Sequence, residues 1–377
     1  MLDDVDRWSP GAMDGGSASW REPIEHYRSP ARLSAELQMM RRYPTPFCPS
    51  AALPEVGSYV AREAAGTPLI AVRGADGRVC VLRNVSRDRG APAARGAGGA
   101  WAFACCSHGW AYGLDGRLRH APDDCGVPCL DHASLGLEAV HAVEYGGLVF
   151  VTQELPLLAP SLAESSVDQL LLAIIPPGER FYAITEDDAA ANWKILAERF
   201  IAGYHIRTTP REVLRPDRPD RPDRPSGSSG SCGLDNRTSA EPSGANRRVA
   251  LSCQASAKRR AASESDRVLT YAYHLFPNVM VVMLPDLLAM IALEPVATDR
   301  TRVVTYALST HADREASDPD AAHAKAFLDA GVAEDRAIAS TVQRRLASGG
   351  STHVEFGRGE GALAQFHRRL HAMLARS

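Results

Sequence analysis

Short apolar runs separated by turn signals fill the chain between residues 54 and 153. The run 67–73 is followed by an Asp-Gly pair at 76–77 and then by the run 78–82, and another apolar run at 147–151 closes the region. Runs rich in Val, Ile and Leu between glycine-containing turns are typical of β-strands. Many short strands of this kind predict a small all-β domain over 54–153.

The second region, from residue 154 to 377, has strand patterns first and helical patterns after them. The predicted strands and the two predicted closing helices lie at 268–275, 279–284, 287–294, 301–310, 319–348 and 359–375. An order of strands and then helices predicts an α+β domain with an antiparallel sheet. The whole chain is therefore expected to be α+β, with an all-β domain followed by an α+β domain.

Three further segments complete the pattern. Residues 1–53 form a polar segment with a short helix predicted at 34–42, and apolar spacing predicts another helix over 187–204. A repeated Arg-Pro-Asp triplet opens the stretch 211–265, which continues rich in Ser and Gly. Because proline at every third position forbids both helix and sheet pairing, we expect a disordered insertion there.

Composition narrows the possible partners and compartment. The 377 residues are 45% hydrophobic and carry a net charge of -3, which gives no electrostatic reason to expect nucleic acid as a partner. No apolar run approaches the length of about 18 residues that spans a membrane, and the acidic start does not resemble a secretion signal. The eight cysteines are too few for a disulfide scaffold. We therefore expect a cytoplasmic protein.

The segment 105–110, Cys-Cys-Ser-His-Gly-Trp, is the most informative part of the chain. A Cys-x-x-His pair followed by Gly-Trp has the spacing of half a ligand set for a two-iron, two-sulfur cluster. Thiolate and imidazole are the donors that such a cluster uses. A matching Cys-x-His is expected about twenty residues earlier, but Ser86-Arg87-Asp88 stands there.

Several strings occur in an order that resembles one family. They are the loop around Ser86, the loop 105–110, the turn 115–118, the helix start 191–194, the pair 204–205, and the segments 275–278 and 366–370. Together they resemble the α-subunits of Rieske non-haem iron oxygenases, the ring-hydroxylating and quaternary-ammonium-oxidising group. The resemblance covers roughly 55–210 and 268–375.

The resemblance implies two metal centres and a defined reaction. A [2Fe-2S] cluster held by two Cys and two His would take electrons from a reductase or ferredoxin. A mononuclear Fe(II) on two His and one carboxylate would use them to insert O₂-derived oxygen into a small organic substrate, aromatic or ammonium-bearing. A homotrimer, in which one subunit's cluster serves its neighbour's iron, is also implied.

Carried over to this chain, the cluster ligand set is incomplete. Cys105 and His108 match one ligand pair, whereas Ser86 and Asp88 stand at the positions of the other Cys and His. Hydroxyl and carboxylate oxygens are harder donors than the thiolate and imidazole that iron-sulfur clusters favour. A zinc site formed by Cys105, Cys106, His108 and Asp88 is an alternative with suitable donor chemistry.

The mononuclear iron site departs from the family pattern as well. His205 matches one histidine ligand, and Asp335, with Glu334 as the fallback, matches the carboxylate. Pro210 stands where the second histidine is expected, and its side chain offers no donor atom. Ala202 stands where an acidic residue bridges the two centres. We interpret Trp193 and His367 as structural, and Glu198 as a residue that supports the site or forms an exposed salt bridge.

Three hypotheses therefore remain open. The first is a Rieske-type mono- or dioxygenase. The second is a non-catalytic pseudo-oxygenase that serves as a ligand-binding or partner subunit, in keeping with the simultaneous changes at Ser86, Asp88, Ala202 and Pro210. The third is a decaying gene product, since the Arg-Pro-Asp repeat resembles expansion of a short DNA tract.

Overall fold

The structure, a computed structural model, describes residues 20–122, 134–154, Ile175, 180–202, 271–284, 287–309, 319–357 and 360–377. The candidate ligand His205, Pro210 and the predicted insertion at 211–265 lie outside these ranges. In the described part, no helix is both long and apolar enough to cross a membrane.

The first described segment, which precedes the all-β region, has regular secondary structure. It contains strand β1 (Trp20–Pro23) and helices α1 (Glu25–Arg28) and α2 (Pro30–Arg42). Ser29 caps α2, since its side-chain oxygen accepts a hydrogen bond from the Arg32 backbone N–H at 3.2 Å and a proline follows it. The predicted helix at 34–42 is confirmed and begins four residues earlier than expected.

The all-β region consists of one large and one small antiparallel sheet. In chain order its strands are β2 (Thr45–Pro49), β3 (Ser58–Ala64), β4 (Thr67–Arg73), β5 (Val79–Arg83), β6 (Gly96–Gly99), β7 (Phe103–Ala104), β8 (Ala111–Tyr112), β9 (Leu118–His120), β10 (Ala139–Tyr145) and β11 (Leu148–Thr152). The large sheet has the order β2-β11-β10-β5-β4-β3-β6, and the small sheet β7-β8-β9 carries the loop 105–110. The strands predicted at 67–73, 78–82 and 147–151 are confirmed within one residue at each end.

The second region is a five-stranded antiparallel sheet with helices against it. In chain order its elements are β12 (Arg180–Ala189), α3 (Trp193–Ala202), β13 (Tyr271–Leu275), β14 (Val279–Met283), β15 (Leu287–Ala297), β16 (Arg300–Ser309), α4 (Pro319–Ala347), β17 (His353–Phe356) and α5 (Gly361–Leu374). The sheet order is β12-β16-β15-β14-β13, while β17 pairs with β1 from the opposite end of the chain. An all-β domain followed by an α+β domain is the fold class that the sequence predicts.

The helix predicted to start at residue 187 is wrong at its N-terminal end. Asp187 and Asp188 belong to β12 and pair with β16. The helix starts only after Asn192, whose side-chain oxygen accepts the Lys194 backbone N–H at 3.1 Å. Asparagine is a strong N-cap residue, so the chain turns from strand to helix at this point.

The two regions share an interior. One buried cluster combines apolar residues from the large sheet, such as Phe47 and Val149, with residues from the five-stranded sheet, such as Met290 and Tyr306. A buried ion pair crosses the same boundary, because Arg62 on β3 donates to Glu294 on β15 at 2.6 Å. The Tyr306 hydroxyl lies 2.9 Å from the Arg62 Nε. The boundary is therefore held by both packing and charge.

Candidate functional site

The loop that carries Ser86 and Asp88, between β5 and β6, is closed by its own hydrogen bonds. The buried Asn84 side chain accepts the Ala93 backbone N–H at 2.7 Å and donates to the Ala94 carbonyl at 2.7 Å. The Ser86 backbone N–H donates to the Ala91 carbonyl at 2.9 Å, which narrows the loop. These bonds present the Ser86–Asp88 segment towards the small sheet.

The loop 105–110 is a tight turn between β7 and β8. The Cys105 backbone N–H donates to the Trp110 carbonyl at 2.8 Å, and Gly109 has a φ of 73°, a backbone conformation that favours glycine. Cys105 is buried at 2% exposure, whereas the neighbouring Cys106 is exposed. The two thiols therefore have different surroundings, and only Cys105 belongs to the apolar cluster beneath the loop.

The two loops meet through Asp88 and His108. The Asp88 carboxylate is in short hydrogen-bond contact with the His108 Nδ1, although twenty residues separate them in the chain. The Asp88 side chain is 17% exposed and the His108 side chain 41% exposed. The structure thus brings together two of the predicted ligand positions, but as partners of each other.

Ser86 is held in the interior of the same site. Its hydroxyl lies 2.9 Å from the Tyr112 hydroxyl on β8, and the Arg87 backbone N–H donates to that tyrosine oxygen at 3.0 Å. Ser86 is 2% exposed, and Tyr112 is fully buried. The Tyr112 contact was not predictable from the sequence, because it joins a loop residue to a strand 26 residues further along the chain.

These donors do not fit a Rieske cluster. A Rieske cluster needs two thiolates and two imidazoles, and this site offers one of each with a hydroxyl and a carboxylate. The hydroxyl is hydrogen-bonded to Tyr112 and the carboxylate to His108. The alternative zinc site is not formed either: among the described residues, Cys105, Cys106, His108 and Asp88 do not gather three ligand atoms in one place.

Asp335, the predicted carboxylate ligand of the iron, is paired with an arginine. The Arg199 guanidinium on α3 donates to one Asp335 oxygen on α4 through two nitrogens, at 2.9 and 3.1 Å. Ala202, at the expected position of the bridging acid, ends α3. A cation beside this carboxylate opposes the approach of a second cation.

An apolar cleft opens beside Asp335. Side chains from α3 and the five-stranded sheet line it: Leu196, Phe200, Met280, Ile291, Leu293 and Val303. Among the described residues that line it, Asp335 and Arg336 are charged, and Arg336 forms an ion pair with Asp187 at 3.0 Å. The cleft is small, about 30 Å³, so it holds only a small apolar group, whereas pockets for drug-sized ligands measure roughly 300–1,000 Å³.

The start of α3 has a structural role, as predicted for Trp193. The Trp193 indole N–H donates to Glu36 on α2 at 2.8 Å, and the Lys194 ammonium contacts both oxygens of the same carboxylate at 2.8 Å. All three side chains are buried. Burial lowers the pKa of Lys194, and the attraction of Glu36 opposes that shift.

The matches to known protein families cover the region of the two loops and the region of the five-stranded sheet. The Rieske [2Fe-2S] domain family matches residues 44–131, and the ring hydroxylating alpha subunit (catalytic domain) family matches residues 179–376, just over half of the chain. The chain belongs to the Rieske ring-hydroxylating oxygenase α-subunit family. Members of this family are associated with a [2Fe-2S] cluster and a mononuclear iron.

Relatives of this α-subunit include one enzyme named for an aromatic substrate and one named for a quaternary ammonium substrate. The chain is 32% identical to the chlorobenzene dioxygenase α-subunit of Cupriavidus sp. (strain PS12) over 160 residues, 41% of this chain and 36% of that protein. It is also 32% identical to the carnitine monooxygenase oxygenase subunit of Escherichia coli (strain K12) over 168 residues, 41% of this chain and 42% of that protein. These matches span less than half of each relative's length.

Solved structures show the same fold for this α-subunit. The quaternary ammonium Rieske monooxygenase CntA, in complex with L-carnitine, aligns with a TM-score of 0.69 at 17% identity and covers 96% of this chain and 97% of its own. Naphthalene 1,2-dioxygenase from Rhodococcus sp. aligns with a TM-score of 0.69 at 18% identity, covering 95% of each chain. The likeness therefore includes both domains.

Proposed function

We propose that this chain is a non-catalytic Rieske oxygenase α-subunit that binds a small apolar molecule. The observation that carries the proposal is that the carboxylates at two predicted metal-ligand positions are paired with other side chains of the protein. Asp88 pairs with His108, and Asp335 pairs with Arg199. Each pairing gives the carboxylate a partner other than a metal ion.

The donor set supports this proposal independently of the pairing. Ser86 supplies a buried, hydrogen-bonded hydroxyl in place of a thiolate, and Pro210 has no donor atom in its side chain. Losing a residue that binds the metal directly is expected to cost more metal affinity than the roughly 10–100-fold typical of losing a residue that only hydrogen-bonds to a ligand. Changes at both metal centres together leave no complete path for electrons from a reductase to O₂.

The apolar cleft beside Asp335 supports the ligand-binding part. Its walls are aliphatic and aromatic side chains of α3, β14, β15 and β16, so the matching ligand is a small apolar or aromatic molecule. We propose that Asp335 and Arg199 orient this ligand through its polar end.

A second candidate is an active oxygenase. It would accept electrons from a reductase or ferredoxin and oxygenate an aromatic or quaternary ammonium substrate, as the names of its relatives describe for those proteins. The retained pair Cys105 and His108 favours it, since both lie on the loop whose His108 contacts Asp88 of the other loop. For either candidate we propose the homotrimer that the family resemblance implies, which sedimentation analysis of the purified chain would test.

Iron and acid-labile sulfide in the purified full-length protein separate the two candidates. After anaerobic reconstitution, we expect no Rieske-type electron paramagnetic signal from the unchanged protein. The double substitution Ser86→Cys and Asp88→His should restore the ligand set and produce a cluster with about two irons per chain. Adding Cys105→Ser to that double variant is the matched control and should abolish the cluster.

Two results would overturn the non-catalytic proposal. One is a Rieske signal in the unchanged protein, and the other is reductase-dependent oxidation of an aromatic or ammonium compound. Either result would establish the oxygenase candidate, with Ser86 and Asp88 serving as unusual ligands.

A further inference from the structure

A second cluster of metal-binding side chains lies where β1 and α5 meet. Glu22 on β1 and both His367 and His371 on α5 each place one donor atom within 4.8 Å of the others. Glu22 and His367 are fully buried, while the His371 side chain is 31% exposed. The two histidines are four residues apart on a helix, so their rings lie on the same face.

The His367 ring is oriented as in a metal-binding histidine. Its Nε2 lies 2.9 Å from a Glu198 oxygen, so this nitrogen donates to the carboxylate. Its Nδ1 points to Glu22 at 3.5 Å and, among the described residues, makes no hydrogen bond. Histidines that bind metal ions typically donate their other ring N–H to a carboxylate, which fixes the ring and the free lone pair.

The charges around the cluster favour a cation. The Glu22 carboxylate is fully buried and lies between the rings of His26, His367 and His371. A second carboxylate, that of Glu198, lies 2.9 Å from the His367 Nε2. The two carboxylates therefore stabilise positive charge at this position.

We propose that Glu22, His367 and His371 form a site for a divalent cation of the zinc class, which fastens the N-terminal strand to the C-terminal helix. One carboxylate oxygen and imidazole nitrogens are preferred zinc donors. The site shares no residue with the loops around Ser86 and Cys105 or with the Arg199–Asp335 pair. It therefore does not depend on the proposed function.

The present distances suit such an ion with small adjustments. Tetrahedral zinc with bonds of about 2.0–2.1 Å separates its ligand atoms by roughly 3.3 Å. The His371 Nε2 lies 2.9 Å from one Glu22 oxygen, and the His367 Nδ1 lies 3.5 Å from the other. All three donor atoms lie within 4.8 Å of one another, so an ion would draw them closer together through side-chain adjustments.

His26 lies next to this cluster of three residues. The His26 Nδ1 lies 2.7 Å from the same Glu22 oxygen that His371 contacts, and the His26 side chain is 26% exposed. Its partial exposure, with that of His371, gives an ion a path from solvent. The donor atoms that lie within 4.8 Å of one another belong to Glu22, His367 and His371, so a tetrahedral ion there would have three protein ligands and one position for water.

The test is metal titration of the full-length chain with Zn²⁺ and with Co²⁺, comparing two histidine variants. His371→Gln keeps an N–H that can donate to Glu22 but removes the imidazole donor, whereas His141→Gln changes an exposed histidine on β10. We expect the unchanged protein and His141→Gln to bind equally. We expect His371→Gln to lose more than about 100-fold in affinity for this site.

The comparison of the two variants isolates this site from any zinc bound near Cys105 or His205. Cobalt bound to carboxylate and imidazole gives tetrahedral visible bands without thiolate charge-transfer absorption, and those bands should vanish only in His371→Gln. Equal binding by the two variants would overturn the proposal. If His371→Gln does not fold, Glu198→Gln decides, since loss of that positioning carboxylate should weaken cobalt binding about 10–100-fold, and unchanged binding would overturn the site.

Discussion

Charged side chains have different surroundings at the boundary between the two domains and in the paired loops of the first domain. At the boundary, Arg62 and Glu294 are buried, and each has several protein partners. In the loops, Asp88 and His108 remain partly exposed and bind chiefly each other. The contrast shows that this chain retains the interior that joins the domains, while the metal-binding positions have changed residue type.

The largest expected effect is at the boundary. Glu294→Gln removes the charge that balances Arg62, whose pKa burial would lower but which Tyr306 and Glu294 raise. A buried cation that loses its counter-charge should destabilise the fold by about 3–5 kcal/mol. Urea denaturation of the purified chain measures this free energy of unfolding.

Glu355→Gln is the matched control for that experiment. It breaks the Arg21–Glu355 pair, whose side chains are 60% and 66% exposed. Exposed pairs contribute roughly 0–1 kcal/mol. If both variants lost the same stability, the contrast between interior and surface charge would be wrong.

A smaller effect is expected from His274, buried on β13. Burial is the main cause that lowers the pKa of this histidine to about 4, against an ordinary value of 6.5. The unfolded chain therefore takes up this proton at a higher pH than the folded chain, so acid favours unfolding. The contribution is complete above pH 6.5 and is lost as the pH falls towards 4, by roughly 3 kcal/mol.

The measurement for His274 is the free energy of unfolding at several pH values between 4 and 7. Subtracting the same series for His274→Gln removes the contribution of all other groups. The difference should rise with pH over this interval. A flat difference would show that burial of His274 does not control its protonation.

The smallest effect is expected in the loops. Ser86→Ala removes the hydrogen bond to Tyr112, which keeps the Arg87 backbone N–H as a partner. We expect a loss of about 1 kcal/mol in the free energy of unfolding. A double-mutant cycle with Tyr112→Phe assigns the effect to this contact, and a coupling near zero would contradict it.

Local sequence patterns predicted much of this fold because they reflect local physics. The four strands between 268 and 310 and both closing helices occur within a few residues of their predicted bounds. The helix start at Asn192 was missed because the apolar spacing continues back into β12. Strand β1 was missed because its partner, His353–Phe356, lies almost a whole chain away.

The candidate site, like the fold, was predictable from the sequence only in part. Spacing and residue type were sufficient to predict that the loops of Ser86 and Cys105 belong together. The partners that decide its chemistry, Tyr112 and Arg199, were not predictable because each contact depends on how separate elements pack. Likewise, nothing near His367 in the sequence indicates that Glu22 faces it.

The pairing of Trp20–Pro23 with His353–Phe356 has a consequence for synthesis of the protein. During translation, β1 leaves the ribosome long before its partner strand exists, so its hydrogen-bonding edge stays unpaired until residues 353–356 have been synthesised. Contacts between such distant positions form late, because closing a long loop has a large entropic cost. The pairing of β1 with β17 can therefore form only after most of the strands and helices described above have been synthesised.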